Sequence, residues 1–382
     1  MGCAMATVVV AALAERAKGE NRVALVPEVV SRLVSQGLEV LVESAAGAGA
    51  FHDDDEYVAA GAKVGTVAKV LAKADVLLAV RRPEPAVLAK LRTGQVLIGL
   101  LDAQVDADGL APLADRGVRA LSLDLLPRTL PRAQTMDVLS SQASIAGYRS
   151  VIVAAEAFGR YFPMMITAAG TARPATVLVL GAGVAGLQAI GTARRLGAQV
   201  SGYDVRPAAR EEVTSLGAAF LTTSVTAGAG EGGYARTLTA EETAAQQTEL
   251  AEQIRRFDVV ITTAQVPGGV PPVLVTAETL ASMAPGSVVV DLAAGPNGGN
   301  VVGSVPEQRI VTPGGVTVIG AGNLPAQMAA GASAAYARNI SALLTSIIVD
   351  GEIKLDPSDE VVAAILVGPA ADAETEGTVG DA

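Results

Sequence analysis

Between Ala175 and Arg206 the chain reads ATVLVLGAGVAGLQAIGTARRLGAQVSGYDVR. The apolar run Val177-Leu178-Val179-Leu180 has the character of a buried strand. Gly181-Ala182-Gly183-Val184-Ala185-Gly186 follows, and then a helical run through Arg195. A second apolar run, Gln199 to Tyr203, ends on Asp204. Strand, G-x-G-x-x-G turn, helix and a strand closed by an acid form a βαβ unit. A chain holding this unit is committed to a parallel sheet covered by helices.

Each glycine has a separate task in such a unit. Gly181 permits the tight turn, Gly183 lets a pyrophosphate approach the backbone, and Gly186 lets the helix pack close to the strand. The helix start offers free N–H groups and partial positive charge to phosphates. The hexapeptide alone is a weak signal in a chain with 41 glycines, where an unliganded turn is the plain alternative. Asp204 strengthens it, because it follows at about the 20-residue spacing of the acid that holds a ribose diol. Its carboxylate would repel a 2′-phosphate and so favours NAD(H). Arg206, two residues on, is of the type that accepts one.

The rest of the chain agrees with an α/β reading. At 382 residues two domains are expected. Half the residues are hydrophobic and tryptophan is absent, so the core must be Ala, Val, Leu and Ile. A net charge of −11 argues against nucleic acid as a partner. Cys3 is the only cysteine and His52 the only histidine, which leaves no intrachain disulfide, no Cys-based metal site and no histidine triad. No metal is expected. Residues 1–14 lack a signal-peptide pattern. Residues 174–193 are uncharged and near a membrane-spanning length, but Pro174 and several glycines interrupt them. The expectation is a soluble, cytoplasmic chain without direct membrane insertion.

In chain order, strands are expected at 8–13, 38–43, 76–80, 96–100 and 120–123, alternating with helical segments. Pro127 to Phe162 is different. Arg128, Arg132, Gln134, Asp137, Ser140, Ser141 and Gln142 crowd the start of a long helix that could bridge two domains, or could simply be capped and solvated there. Further strands are expected at 177–180, 199–203, 259–262, 287–291 and 316–319. Thr263, Ala264 and Gln265 follow one of these at the ligand-facing end of an open sheet. Ser224 to Gly233 is glycine-rich and reads as a mobile loop or lid, with Tyr234 as its one large side chain. The boundaries expected are a first α/β domain over 1–126 plus 327–370, a linking segment with the bridging helix over 127–168, and a nucleotide-binding Rossmann domain over 169–326. An acidic tail fills 371–382. The fold class is thus α/β, with two Rossmann-like domains joined by long helices and the nucleotide in their cleft.

Several stretches together carry a resemblance: RVALVPE, RAQTMDVLSSQASIAGYRSV, PMMITAAGTARPATVLVLGAGVAGLQAI, GYDVRPAAREEV, GGYA, DVVITTAQVPGG and PGSVVVDLAAGPNGGN. They resemble the NAD(H)-binding domain I of proton-translocating nicotinamide nucleotide transhydrogenases, over roughly 22–350. The chain is similar to the separate soluble alpha subunit of three-subunit bacterial forms.

The resemblance implies that NADH bound here passes hydride directly to NADP⁺ on a partner subunit. A membrane-embedded partner couples that exchange to proton movement, and this domain forms a homodimer. The chain would then sit peripherally at the inner face of the plasma membrane. It also implies that Gln134, Asp137 and Ser140 surround the nicotinamide, with Arg128 or Arg132 beside them. Val184, Asp204, Val205, Arg206, Gly233, Gln246 and Gln265 match cofactor contacts, and Tyr234 matches the tip of a mobile loop. DLAAGPNGGN and GAGNLP depart from the family's more polar versions.

Direct transfer between two nicotinamides needs no general acid or base, only two rings held close with water excluded. That suits a chain so poor in histidine. Alanine dehydrogenase, which shares the RVALVP start, is the nearest rival. Its chemistry moves a proton, and that family carries a lysine and a histidine in the first domain. Here the aligned strand reads Leu78-Ala79-Val80-Arg81-Arg82-Pro83, with arginine where the lysine would serve, and the following strand ends in Leu100-Leu101-Asp102 with no histidine. A non-enzymatic NAD-binding protein is the second alternative.

Overall fold

The computed structural model describes residues 7–225, 238–266 and 269–368. The chain divides into two compact units, Met1–Val138 with Tyr336–Ala382, and Leu139–Ala335. The first unit opens with strands β1 (Val9–Ala12), β2 (Glu39–Glu43), β3 (Lys63–Gly65), β4 (Val76–Arg81), β5 (Val96–Leu100) and β6 (Arg119–Ser122). The second holds β7 (Met165–Thr167), β8 (Gly170–Ala172), β9 (Thr176–Leu180), β10 (Gln199–Tyr203), β11 (Ala219–Phe220), β12 (Val259–Thr262), β13 (Val288–Asp291), β14 (Arg309–Val311) and β15 (Thr317–Gly320). The chain then returns to the first unit with β16 (Ile348–Val349), β17 (Glu352–Ile353) and β18 (Leu366–Val367).

The main sheet of the first unit runs β18-β6-β5-β4-β1-β2-β3. Its pairs are parallel except for β18, which adds antiparallel to β6. Pro27 occupies the first turn of the helix Pro27–Ser35, where its missing N–H costs nothing. Gly37, at φ +89°, turns the chain out of that helix toward β2. Asp53 and Glu56 form a capping box on the helix Asp54–Ala59. One face of the sheet buries Ala11, Leu41, Leu77 and Leu97. Two tyrosines bury their rings and still satisfy their hydroxyls: Tyr57 donates to the Leu25 carbonyl and Tyr336 to that of Ala79, each at 2.8 Å.

The sheet of the second unit runs β11-β10-β9-β12-β13-β15-β14. All neighbours are parallel except β14 and β15. Setting aside the short β7–β8 hairpin, the parallel strands lie in the order third, second, first, fourth, fifth, sixth. That is the doubly wound order, with its switch point between β9 and β12. The first unit has the same order about β1 and β4. Val177, Leu178, Val179 and Leu180 are all 0% exposed, so β9 is covered on both faces and its sequence is apolar without alternation.

The long helix Val138–Ala157 packs on the helix Val184–Arg195, whose own start lies at the glycine turn. Contact is close at Gly147, where a Cβ would fall 2.1 Å from the Ala185 carbonyl oxygen. The second long helix, Ala329–Ile347, contains the division between units. Among the described residues no helix is long and apolar enough to cross a membrane.

Candidate dinucleotide-binding site

The glycine turn closes β9 at the switch point of the second unit. Gly181 has φ +99°, and a Cβ there would meet the Thr263 Oγ1 at 2.6 Å. Two requirements therefore coincide at this residue, left-handed backbone and no side chain. Gly186 lies one helical turn on, and a Cβ there would lie 1.8 Å from the Gly181 carbonyl oxygen. The Thr263 hydroxyl donates to that same carbonyl at 3.0 Å. Gly183 differs from both, since a Cβ there meets nothing within 4 Å and the residue is exposed. Space is thus kept in front of the helix Val184–Arg195, whose N-cap, Gly183, supplies no side-chain bond. Arg194 and Arg195 sit in its last turn, on the side that suits the dipole. The helix's own first turn offers N–H groups and carries no acidic side chain.

Asp204 ends β10 beside this turn. Its Oδ2 accepts the Ala182 N–H at 2.8 Å and Arg206 Nη2 at 3.0 Å, while Oδ1 accepts the Arg206 N–H at 2.9 Å and Nε at 3.0 Å. That bond to Asp204 outweighs partial burial and holds the Arg206 guanidinium above its ordinary pKa. Val205 and Asp204 share a shallow pocket with Pro207, Phe220, Leu221 and Val225. Arg210, Thr222 and Thr223 complete its lining, with the Arg210 guanidinium over the Phe220 ring, 5.0 Å from its centre. Gln246 is buried and donates to the Tyr203 hydroxyl at 3.0 Å, so its amide supports the end of β10. Burial raises the Tyr203 phenol pKa.

Thr263, Ala264 and Gln265 leave β12 on the other side of the switch point. Asn300 braces them: its Oδ1 accepts the Ala264 N–H at 3.0 Å, and its Nδ2 donates to the Ala264 carbonyl at 2.9 Å. Gln265 donates to the Leu292 carbonyl at 3.1 Å. Behind them Asp291, 0% exposed, accepts from the Thr262 hydroxyl, the Ala293 and Val301 N–H groups and the Ser304 hydroxyl. Asp291 and Asn300 thus shape the loop after β13. The sequence shows that loop at the ligand-facing rim but gives no sign of these two roles, which depend on bonds to distant backbone.

In the first unit, Arg128, Arg132, Gln134 and Asp137 lie on or beside one 3₁₀ turn, Pro131–Met136. Arg128 Nε stands 3.6 Å from Asp137 Oδ2, and Asp137 is buried. Arg132 instead pairs with Asp359 and is half exposed. The two arginines therefore have different employment, and Arg128 is the one held at Asp137. Gln134 is exposed, and its carbonyl accepts the Asp137 N–H at 3.3 Å. Ser140 is half-buried in the first turn of the long helix that opens the second unit. Gly233 and Tyr234 lie outside the described residues.

The switch point of the first unit is built otherwise. β1 is followed by Glu15, which accepts the Val80 N–H at 2.6 Å and the Arg81 N–H at 3.3 Å. The side chain thus occupies backbone donors at the end of β4, and burial raises its pKa to about 7. Glu20 and Arg22 form a buried bidentate pair close by in sequence. Arg81 ends β4, and Asp102 follows β5 in a left-handed conformation at φ +59°. His52 bonds Glu56 at 3.1 Å and meets Tyr57 edge-on, in the loop before the helix Asp54–Ala59. No group of three His, Cys, Asp or Glu that could hold a metal occurs among the described residues.

The family model for the alanine dehydrogenase/PNT N-terminal domain matches residues 11–146, and that for the C-terminal domain matches 150–371. The chain is 46% identical over 344 residues to an NAD(P) transhydrogenase subunit alpha chain of Rhodospirillum rubrum, covering 87% of this chain and 88% of that one. It is 32% identical over 306 residues to alanine dehydrogenase of Mycobacterium tuberculosis, covering 76% and 74%. The crystal structure of transhydrogenase from Sinorhizobium meliloti superposes with a TM-score of 0.85 at 44% identity, over 94% of this chain and 97% of that chain. The chain belongs to the alanine dehydrogenase/PNT family, as a relative of NAD(P) transhydrogenase alpha subunits.

Proposed function

We propose that the chain is the NAD(H)-binding component of a proton-translocating NAD(P)⁺ transhydrogenase. The reading joins an open glycine turn, which fits a pyrophosphate, to a first unit with neither lysine nor histidine at the ends of β4 and β5. The second observation carries the choice of reaction. The ends of β4 and β5 present Arg81 and Asp102, and the lone histidine, His52, sits on another loop. The rival chemistry, dehydrogenation of an amino acid, moves a proton with a lysine and a histidine, and neither stands at these strand ends. Transfer of hydride between two nicotinamides needs neither, because two electrons and one hydrogen nucleus leave and arrive together.

Bound in the second unit, NADH supplies the hydride, and NADP⁺ on a partner subunit receives it. The chain's own residues bind and orient. First-turn N–H groups beyond Gly183 hold phosphate, and Asp204 holds the ribose. Asp137, 3.6 Å from Arg128, orients the carboxamide with Gln134 and Ser140. Coupling to proton translocation belongs to membrane-embedded partners. The chain works as a homodimer and reaches the inner face of the plasma membrane only through those partners.

Reconstitution tests this. The chain is added to membranes carrying the other transhydrogenase subunits, and reduction of an NADP analogue by NADH is followed. Activity that rises with added chain is the expected result. Activity indifferent to it overturns the proposal, and oxidation of alanine by the chain with NAD⁺ alone would favour the rival chemistry. Nucleotide binding without either activity would leave a binding protein.

A further inference from the structure

Asp204 receives four donors from the protein itself, two on each oxygen. A carboxylate has about four lone-pair sites, so a ribose hydroxyl finds none open. The donors are of two kinds. The N–H groups of Ala182 and Arg206 are backbone, fixed by the turn and by the end of β10. The other two are Nε and Nη2 of one guanidinium, whose side chain is 26% exposed against 9% for Asp204. That side chain has water to rotate into. A guanidinium edge offers two donors on neighbouring atoms, one to each carboxylate oxygen. The 2′ and 3′ hydroxyls of a ribose offer the same pattern.

We infer that Arg206 stands in the ribose subsite as an internal substitute for the diol, and so sets which dinucleotide the site prefers. This rests on the dinucleotide reading above. The diol replaces the guanidinium's two bonds to Asp204, while the bond from its Nη2 to the Ala182 carbonyl at 3.4 Å is given up and the two backbone donors stay. Binding NADH therefore gives up a charge-assisted bidentate pair, and affinity is lower than a bare acid would provide. A 2′-phosphate experiences the opposite. With Arg206 present it meets a neutralised acid and a nearby cation. Without Arg206 it faces an unshielded carboxylate.

The two nucleotides must then respond with opposite signs to loss of the guanidinium. Full-length wild type, Arg206→Ala and Arg206→Lys are titrated with NADH and with NADPH by nucleotide fluorescence, and thermal melts check folding. In Arg206→Ala, NADH tightens by about threefold to tenfold and NADPH weakens by about as much, widening the preference at least ~10-fold. Arg206→Lys keeps the charge but loses the fork, so NADH tightens while NADPH changes little; this variant carries the test if the alanine variant does not fold. Affinities that fall together, or a preference that does not move, overturn the inference and leave Arg206 as a plain support for Asp204. A wild-type chain that takes up neither nucleotide overturns the dinucleotide reading as well, which separates the two failures.

Discussion

The carbonyl oxygen of Gly181 stands 1.8 Å from where a Cβ of Gly186 would be. The helix is seated directly on the turn, and a methyl group there must push them apart. Gly183→Ala, by contrast, meets nothing within 4 Å. Its backbone, at φ −79° and ψ −168°, suits any residue. The two glycines should fail differently. Gly186→Ala should cost about 1–3 kcal/mol or more in denaturant unfolding. Gly183→Ala should unfold within about 0.5 kcal/mol of wild type and lose NADH affinity by at least ~10-fold, about 1.4 kcal/mol. Undiminished NADH binding by Gly183→Ala would show that no phosphate lies over the turn.

Asp137 is buried and holds Arg128 at 3.6 Å. Asp137→Asn keeps its shape and removes its charge. In the reconstituted system the variant should slow hydride transfer on the order of 10-fold or more, with the NADH dissociation constant within about threefold of wild type. Stopped-flow and equilibrium titration separate the two quantities. Equal losses in both would reduce the residue to a binding contact.

Glu15 gives the first unit a pH signature. Burial, helped by the charge of Glu20, outweighs the bond from the Val80 N–H and raises its pKa from 4.5 to about 7. The folded chain therefore holds this proton more firmly than the unfolded chain. Stability is greatest below pH 4.5 as far as this group is concerned, falls as pH rises to about 7, and is flat above that. The total is roughly 3 kcal/mol at most. Denaturation midpoints of wild type and Glu15→Gln, compared from pH 5 to 8, should differ by an amount that grows with pH in favour of the variant. A difference independent of pH would contradict this.

Asp258 has the opposite sign. It joins the amino ends of β9 and β12, accepting the Thr176 N–H and hydroxyl at 2.9 Å each and Arg160 at 2.6 Å. Burial works against its charge, but these donors win and lower its pKa below 3.8. Its contribution is complete above pH 3.8 and disappears as pH falls through the lowered value. Asp258→Asn should cost about 1–3 kcal/mol near neutral pH, with the gap to wild type closing in acid. A constant gap down to acid unfolding would assign the loss to packing instead.

Most of the two parallel sheets was legible in the sequence, because buried parallel strands are apolar without interruption and turns between them are marked by glycine. The run at 177–180 became β9, and the run at 259–262 became β12. The elements that escaped notice lack that mark. β7 and β8 form an exposed hairpin, with Ile166 75% exposed, so no burial pattern betrays it. β14 and β18 are short antiparallel edges, which need only a neighbour's backbone. Gly181 and Gly186 could be read directly as turn and packing positions, and Asp204 as the acid that closes β10, since each answers a local requirement. Asp291, Asn300 and the Asp204–Arg206 fork could not be assigned their roles. Those roles arise when separate strand ends come together, and residue type does not announce which donors will arrive.

Tyr336 buries its ring in the first unit and bonds the carbonyl of Ala79, on β4. The piece of chain that carries Tyr336 is synthesised only after all of Leu139–Ala335. The second unit is continuous and has its whole core once Ala335 has emerged, whereas the first must wait with some of its core open. Order of synthesis thus favours completion of the nucleotide-binding fold ahead of the unit that precedes it in sequence. A chain ending at residue 335 and released from the ribosome would carry every residue of the second unit behind an unfinished first one.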